Sequence, residues 1–233
     1  MILKTTQSTQ FVIAGNEIRL HWDHYEDHER QALTAFEDWS KGFLTRPHEK
    51  VGRRGHVCPF VQAGLKAHKS IYLSTYRGKP GDIEAATQEI RQLRDRFLEL
   101  VPAGSKEADF GAVVQLYPRL GKNWDFILQL HKELKPEFVE RKMMFGEFFP
   151  SCDGQGIHNP EFRPLQSPVP LFVIRHMHIL DLPFLTNCPK QRASYRERFQ
   201  VDSRSDLDKR VKASRVIKLP LDWDYFADAL LSP

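Results

Sequence analysis

The chain has 233 residues, of which 41% are hydrophobic and 27% are charged, and its formal net charge is +4. The apolar fraction and the 16 Phe exclude a disordered chain, and the length suits a single domain with a real core. The small net charge excludes a nucleic-acid footprint, no apolar stretch is long enough to span a bilayer, and three cysteines make no disulfide framework.

The first sixty residues predict a strand, a helix and an ordered loop. Residues 11–20 have apolar ends around a Gly-Asn turn signal, which predicts a strand or a hairpin. Asp23 is placed to cap a helix, and apolar residues at helical spacing extend that helix over about residues 24–44. A proline and two glycines indicate a loop over residues 46–55, after which Pro59 opens a further helix.

The middle of the chain alternates helices and strands. Asp82 caps the clearest helix, whose apolar residues recur at helical spacing, and Asn123 caps a second helix that carries His131 on its apolar face. One mostly antiparallel sheet with helices packed on one side satisfies this order, so we predict an α+β fold. The predicted strands cover residues 71–76, 110–117, 142–149 and 170–174, and a long loop covers residues 151–168.

The end of the chain differs in character from the rest. Residues 191–212 are dense in charge, and residues 219–231 have an apolar end. We therefore predict a single α+β domain over residues 1–190. Residues 191–233 are predicted to form a charged helical arm that docks on the body or on a second subunit, which makes a homodimer possible.

A cationic segment around one cysteine is the most informative stretch for chemistry. A thiol beside arginines at a helix start is favoured as the thiolate, which suits a redox-active cysteine or a ligand to iron. The alternative is that this cysteine is a small buried apolar residue. Its neighbours can bind an anion such as a carboxylate, a phosphate or a haem propionate. The segment contains His48, Arg53, Arg54, His56 and Cys58.

Two further places can carry a ligand or a substrate. His131 is either a hydrogen-bonded core residue or an imidazole held in an apolar wall, as a haem iron requires. Strand alternation sends Arg175 and Met177 to one side of their strand and His176 and His178 to the other. This cluster is either a substrate or propionate site, or surface charge beside a core methionine.

Other polar residues give weaker signals. His21, His24 and His28 fall at helical spacing and can bind a metal, but acidic neighbours also fit a solvated helix start. Cys152 and Cys188 have no assigned role. Motifs for dinucleotide, nucleoside triphosphate, serine hydrolase and zinc protease chemistry do not occur. Since no signal-peptide pattern opens the chain, we expect a cytoplasmic protein without a membrane or nucleic-acid partner.

Several segments resemble the YqcI/YcgG family, whose members include haem-dependent N-oxygenases. The resemblance covers residues 46–185, where Cys58-Pro59 stands in place of the family's Pro-Cys. It rests on five segments. HVCPFVQAGLKA is similar to the family's helix start, FGAVVQLYP to its apolar strand and NWDFILQLHKEL to its helix ending in His. MMFGEFFP is similar to its Gly-Glu strand and PVPLFVIRHM to its strand ending in Arg.

The resemblance implies a haem-dependent oxygenase that acts on the nitrogen of a small amine or amino acid in a biosynthetic pathway. Such an enzyme uses haem b with a histidine ligand, and dioxygen or peroxide supplies the oxygen. The resemblance implies His48 as the first choice of iron ligand and His131 as the second. Glu147 on the Gly-Glu strand either holds the amine or is a charge at the sheet edge.

Further cofactor contacts follow from the same resemblance, which implies that arginines and histidines near the haem hold its propionates or a substrate carboxylate. Two alternatives remain open, namely a thiol-dependent redox protein that uses Cys58 and a non-catalytic binding protein. The additional contacts are Arg53, Arg54, His56, Arg175 and His176.

Overall fold

A computed structural model describes residues 12–13, 23–214 and 223–231 of the chain. Its centre is one five-stranded sheet with strand order β1-β2-β3-β5-β4. Strands β2 and β3 run parallel, and the other neighbouring pairs are antiparallel, which confirms the predicted α+β fold with a mostly antiparallel sheet. The strands are β1 (Val12–Ile13), β2 (Ile71–Thr75), β3 (Ala112–Leu116), β4 (Met143–Phe148) and β5 (Leu171–His176).

The predicted helices of the middle region are present. Asp82 caps the N-terminus of α3 by accepting a hydrogen bond from the Ala85 nitrogen at 3.0 Å. The α-helices are α1 (Asp27–Trp39), α2 (Val61–Lys66), α3 (Ile83–Leu100), α4 (Trp124–Glu140), α5 (Pro189–Phe199), α6 (Arg204–Ala213) and α7 (Trp223–Leu231). No helix in this described part of the chain is both long enough and apolar enough to cross a membrane.

Both faces of the sheet are covered. Helices α3 and α4 lie on one face, as predicted, and bury Phe97 and Leu130 against Phe172. Helix α1 additionally covers the opposite face, where Leu33 packs with Val114. This second layer forms because β3 is buried at every position, so its two faces both need an apolar partner.

The N-terminal part differs in detail from the prediction. Helix α1 is capped by Glu26 instead of Asp23 and ends at Trp39, and a π-helical turn (Ser40–Leu44) follows it. Helix α2 begins at Val61 after its N-cap Phe60, so the predicted helix start at Cys58-Pro59 is wrong. Of the predicted strand over residues 11–20, the two residues of β1 are confirmed and the others lie outside the described residues, as does His21.

The C-terminal helices pack against the body of their own chain. The Tyr195 side chain of α5 is fully buried, and its hydroxyl donates to the Ile179 carbonyl at 2.6 Å. Leu207 of α6 and Leu230 of α7 are buried in the same cluster as Met177 from the end of β5. The charged arm therefore carries apolar residues that bind it to the sheet end.

A buried polar chain lies between α3 and β3. The Gln115 amide donates to the Glu89 carboxylate at 2.7 Å, and the Tyr117 hydroxyl donates to the Gln115 side-chain oxygen at 2.7 Å. Burial raises the pKa of Glu89 to about 7, although the bond from Gln115 and the charge of Arg77 oppose the shift. Glu89 is therefore partly protonated at neutral pH.

This pKa predicts how stability changes with pH. The folded state holds the Glu89 proton more tightly than the unfolded chain, so stability is highest below the ordinary glutamate pKa and falls as pH rises to about 7. We expect Glu89→Gln to raise the free energy of unfolding by about 2 kcal/mol at about pH 8 and to change it little at about pH 5. Urea unfolding at both pH values measures this, with exposed Glu84→Gln as the control; equal effects at the two pH values would contradict it.

Candidate functional site

The backbone of Cys58 is fixed to the turn that follows α1. The Cys58 nitrogen donates to the Leu44 carbonyl at 2.9 Å, and the Val57 nitrogen donates to the Arg46 carbonyl at 2.9 Å. Leu44 is the last residue of the π-helical turn, a rare element that often occurs at functional sites. These two bonds join the end of the loop to its beginning and so hold the main chain of Cys58 in place.

Aromatic side chains pack against His48 in this loop. The His48 ring stacks on Phe162 with 4.9 Å between ring centroids and meets the edge of Phe43 at 5.8 Å. Its Nδ1 atom accepts a hydrogen bond from the Lys50 nitrogen at 3.1 Å. His48 therefore caps a short turn and packs between aromatic rings.

Two guanidinium groups lie near Cys58, since one bonds the carbonyl of the preceding residue, Val57, and the other packs against Phe60, two residues further on. Arg53 donates to the carbonyls of Arg54 and Val57, at 3.1 Å each. Burial lowers the pKa of Arg53, and the negative charge of a Cys58 thiolate opposes that shift. Arg175 lies at the end of β5. The thiol is therefore close enough to both cations for its charge to act on them.

Arg175 is held by a carboxylate and an aromatic ring. Its guanidinium makes two hydrogen bonds to Asp181, at 2.5 and 2.7 Å, and its central carbon lies 5.1 Å from the centroid of the Phe60 ring. Burial would lower the pKa of Arg175, but Asp181 and, to a smaller extent, the Cys58 thiolate raise it above its ordinary value. Arg175 is thus a fixed cation under the site.

His158 joins the site from a distant part of the sequence. It lies in the long loop between β4 and β5, and its Nε2 atom is buried without a hydrogen-bond partner among the described residues. Burial lowers the pKa of His158, and the nearby Arg53 lowers it further. Sequence reasoning missed His158, because only the proline-rich and glycine-rich character of its loop marked that region.

His131 and Glu147 meet at a second place. The His131 Nε2 atom lies 2.8 Å from a Glu147 carboxylate oxygen and 3.0 Å from the Phe145 carbonyl. The pair lies where α4 covers β4, on the opposite face of the sheet from His48. The two candidate iron ligands therefore cannot bind the same iron.

The other predicted residues are placed apart from one another. His176 lies on the α3 side, where its Nε2 atom is 2.7 Å from the Val101 carbonyl. His178 follows the end of β5 and contacts Phe60, on the side of Arg175, so strand alternation does not extend to it. Arg54 is exposed, and His56 forms an isolated bridge with Pro47.

Of the three histidines predicted near the start of α1, the structure describes His24 and His28. The His28 Nδ1 atom lies 3.3 Å from a Glu26 carboxylate oxygen. Within the described ranges, no three His, Cys, Asp or Glu side chains are grouped so that they could hold a metal ion. A cavity of about 440 Å³ on the outer face of α1 contains none of the predicted site residues.

The predicted haem residues are not brought to one cleft by these contacts. Arg175 is neutralised by Asp181, the Nε2 atom of His131 is engaged by Glu147 and Phe145, and His48 lies between rings. Arg175, His131 and His48 therefore do not surround one common haem site.

The fold and the site define an α+β protein with a half-exposed cysteine near two arginines. Residues 33–210 match a family described as a domain of unknown function (DUF6875), and the chain belongs to this family. The matched stretch includes Cys58, Arg53, Arg175 and His158 and continues through α5 into α6. No curated protein and no solved structure matches the chain.

The Arg175–Asp181 contact predicts a large effect on stability. We expect Asp181→Asn to lower the free energy of unfolding by about 3 kcal/mol, because it leaves a largely buried guanidinium without its counter-charge. Asp202→Asn is the matched control, since Asp202 pairs with Arg196 at the surface, and its cost should stay below about 1 kcal/mol. Denaturant unfolding of both variants measures this, and similar costs for the two would contradict it.

Proposed function

We propose that the protein is a thiol-dependent redox enzyme in which Cys58 reacts, as the thiolate, with a small electrophilic substrate that carries a negative charge. The observation that carries this proposal is the free, half-exposed Cys58 in a loop where Arg53 bonds the preceding residue, Val57, and Arg175 packs against the nearby Phe60. Cations beside a sulfur atom favour the nucleophilic form and attract an anionic reactant.

Each neighbour has a distinct part in this chemistry. Arg175 is immobilised by Asp181 and Phe60, so its guanidinium keeps one position, while Asp181 balances its charge and Arg53 supplies the net positive charge at the site. Arg53 has remaining N–H groups that can hold an anionic group of the substrate. The bond from the Cys58 nitrogen to the Leu44 carbonyl fixes the main chain from which the thiol extends.

With a hydroperoxide as substrate, the chemical step is a two-electron oxidation of sulfur. The thiolate attacks the terminal peroxide oxygen, the O–O bond breaks, and the sulfur becomes a sulfenic acid. The leaving alkoxide takes a proton from solvent. One thiol in solution then condenses with the sulfenic acid to give a mixed disulfide and water, and a second thiol exchanges with that disulfide and releases Cys58 in its reduced form.

The rate of alkylation by charged and neutral reagents tests the role of the arginines. The measured quantity is the ratio of the alkylation rate with anionic iodoacetate to the rate with neutral iodoacetamide. We expect this ratio to be about fivefold higher for Cys58 than for 2-mercaptoethanol, which corresponds to an attraction of about 1 kcal/mol. Peptide mass spectrometry follows Cys58 separately from Cys152 and Cys188.

A matched pair of variants assigns this preference to one side chain. Arg53→Gln should reduce the preference for iodoacetate, whereas Arg54→Gln should keep it, because Arg54 is the exposed neighbour of Arg53. A preference in the wild type equal to that of 2-mercaptoethanol would refute the proposal.

A haem-dependent N-oxygenase is the second candidate. The observation in its favour is the 2.8 Å contact between His131 and Glu147, which lie on the two segments that resemble the helix ending in His and the Gly-Glu strand. When bound, haem would supply the oxidation chemistry, and Glu147 would hold the substrate amine near His131.

An absorption spectrum separates the two candidates. Under the haem proposal, protein incubated with haemin shows an intense Soret band near about 400 nm, and the band is lost in His131→Ala or His48→Ala. Under the thiol proposal, we expect no band beyond that of free haemin, with unchanged alkylation of Cys58. A stoichiometric band that depends on either histidine would favour the oxygenase.

A further inference from the structure

The structure points to a binding site that the sequence did not reveal. We propose that Arg53 and His158 form a subsite for the carboxylate group of a small monocarboxylic acid, beside the Cys58 sulfur. The proposal draws on the charge state of Arg53, the unused nitrogen of His158 and the contacts between their two loops.

Arg53 carries a charge that no carboxylate in the described part of the chain compensates, and the ionisable group that acts on it is the Cys58 thiol. Two of its N–H groups donate to the main-chain carbonyls of Arg54 and Val57, and no Asp or Glu contributes to its electrostatic surroundings. Removing a cation from water without a counter-ion is unfavourable. The half-buried guanidinium therefore gains free energy when an anion enters.

His158 provides a hydrogen-bonding atom next to that charge. Its buried Nε2 atom has no partner within the described residues, and an unused buried polar atom is costly. Because the pKa of His158 is lowered by burial and by Arg53, the ring is neutral at pH values near 7. In its Nε2–H tautomer, His158 donates to one carboxylate oxygen while Arg53 binds the other.

Contacts between the two loops hold these groups in place before a ligand arrives. Gly52, with φ of +74°, lies so close to the other loop that a Cβ added to it would be 2.8 Å from the His158 Cβ. The Asn159 side chain donates to the Lys50 carbonyl at 2.9 Å. A site that is already formed loses less entropy when it binds a ligand.

The number of charges favours a carboxylate over a phosphate. One uncompensated guanidinium and one neutral imidazole balance a single negative charge. A phosphate monoester carries about −1.5 to −2 charges near neutral pH and would leave excess charge in a half-buried site. The planar fork of arginine also matches the geometry of a carboxylate.

This inference deepens the proposed function, on which it rests for its chemical meaning. A carboxylate bound by Arg53 and His158 would place the rest of the acid next to the sulfur of Cys58. The thiol proposal requires an anionic substrate, and the subsite specifies the group that carries the charge.

Protection of Cys58 from alkylation tests the subsite. Sodium acetate is titrated into the protein at constant ionic strength, with sodium chloride making up the balance, and labelling of Cys58 by iodoacetamide is followed by peptide mass spectrometry. We expect acetate to slow labelling saturably, by about threefold when its concentration is twice its dissociation constant. Inorganic phosphate should protect more weakly at equal ionic strength.

Three variants connect the protection to the named groups. Arg53→Gln and His158→Phe should abolish the saturable effect, while Arg54→Gln should retain it. A thermal unfolding series gives a second readout, because acetate should raise the midpoint in the wild type and in Arg54→Gln only. This comparison of acetate with chloride in the wild type remains decisive if a variant fails to fold.

The outcomes separate the subsite from the reactive thiol. If acetate acts no differently from chloride in both readouts, or if phosphate protects better than acetate, the carboxylate subsite is wrong, whatever the reactivity of Cys58. If acetate raises the midpoint in an Arg53-dependent way while hydrogen peroxide oxidises Cys58 no faster than Cys188, the subsite holds and the thiol proposal fails.

Discussion

The ion pair between Arg175 and Asp181 is the contact on which the rest of the site depends. It brings a largely buried guanidinium at the end of β5 against a carboxylate in the following turn, and the same carboxylate accepts a hydrogen bond from the His178 nitrogen at 2.7 Å. The pair thereby fixes the turn from which the C-terminal helices begin. It also holds the cation beneath Phe60, next to the loop that ends at Cys58.

The candidate site is assembled from segments that are far apart in the sequence. The thiol comes from the loop after α1, Arg175 from the last strand, and His158 from the loop before that strand. Such an arrangement keeps one charge uncompensated and one imidazole nitrogen unused, in a structure whose other buried polar groups mostly have partners. Both features raise the free energy of the empty site and lower that of a site holding an anion.

Local sequence patterns predicted the helices and strands, whereas the grouping of the site residues depends on long-range contacts. The cap at Asp82 and the apolar stripe that follows it predicted α3 correctly, because these signals act within one helix. The grouping of Arg53 with Cys58 was visible because both lie in one loop. The contact of Arg53 with His158 and the pairing of His131 with Glu147 depend on how strands and loops meet, which no local periodicity encodes.

Trapping of the oxidised thiol tests the central claim most directly. Cys188 is an internal reference, because it is also free, half-exposed and followed by proline, but it caps α5 and lies near Arg192 instead of near Arg53 and Arg175. The protein is treated with one equivalent of hydrogen peroxide, and sulfenic acid is trapped with dimedone and assigned by peptide mass spectrometry. The account predicts that Cys58 is modified well before Cys188. Equal rates at the two cysteines, or faster modification of Cys188, would contradict it.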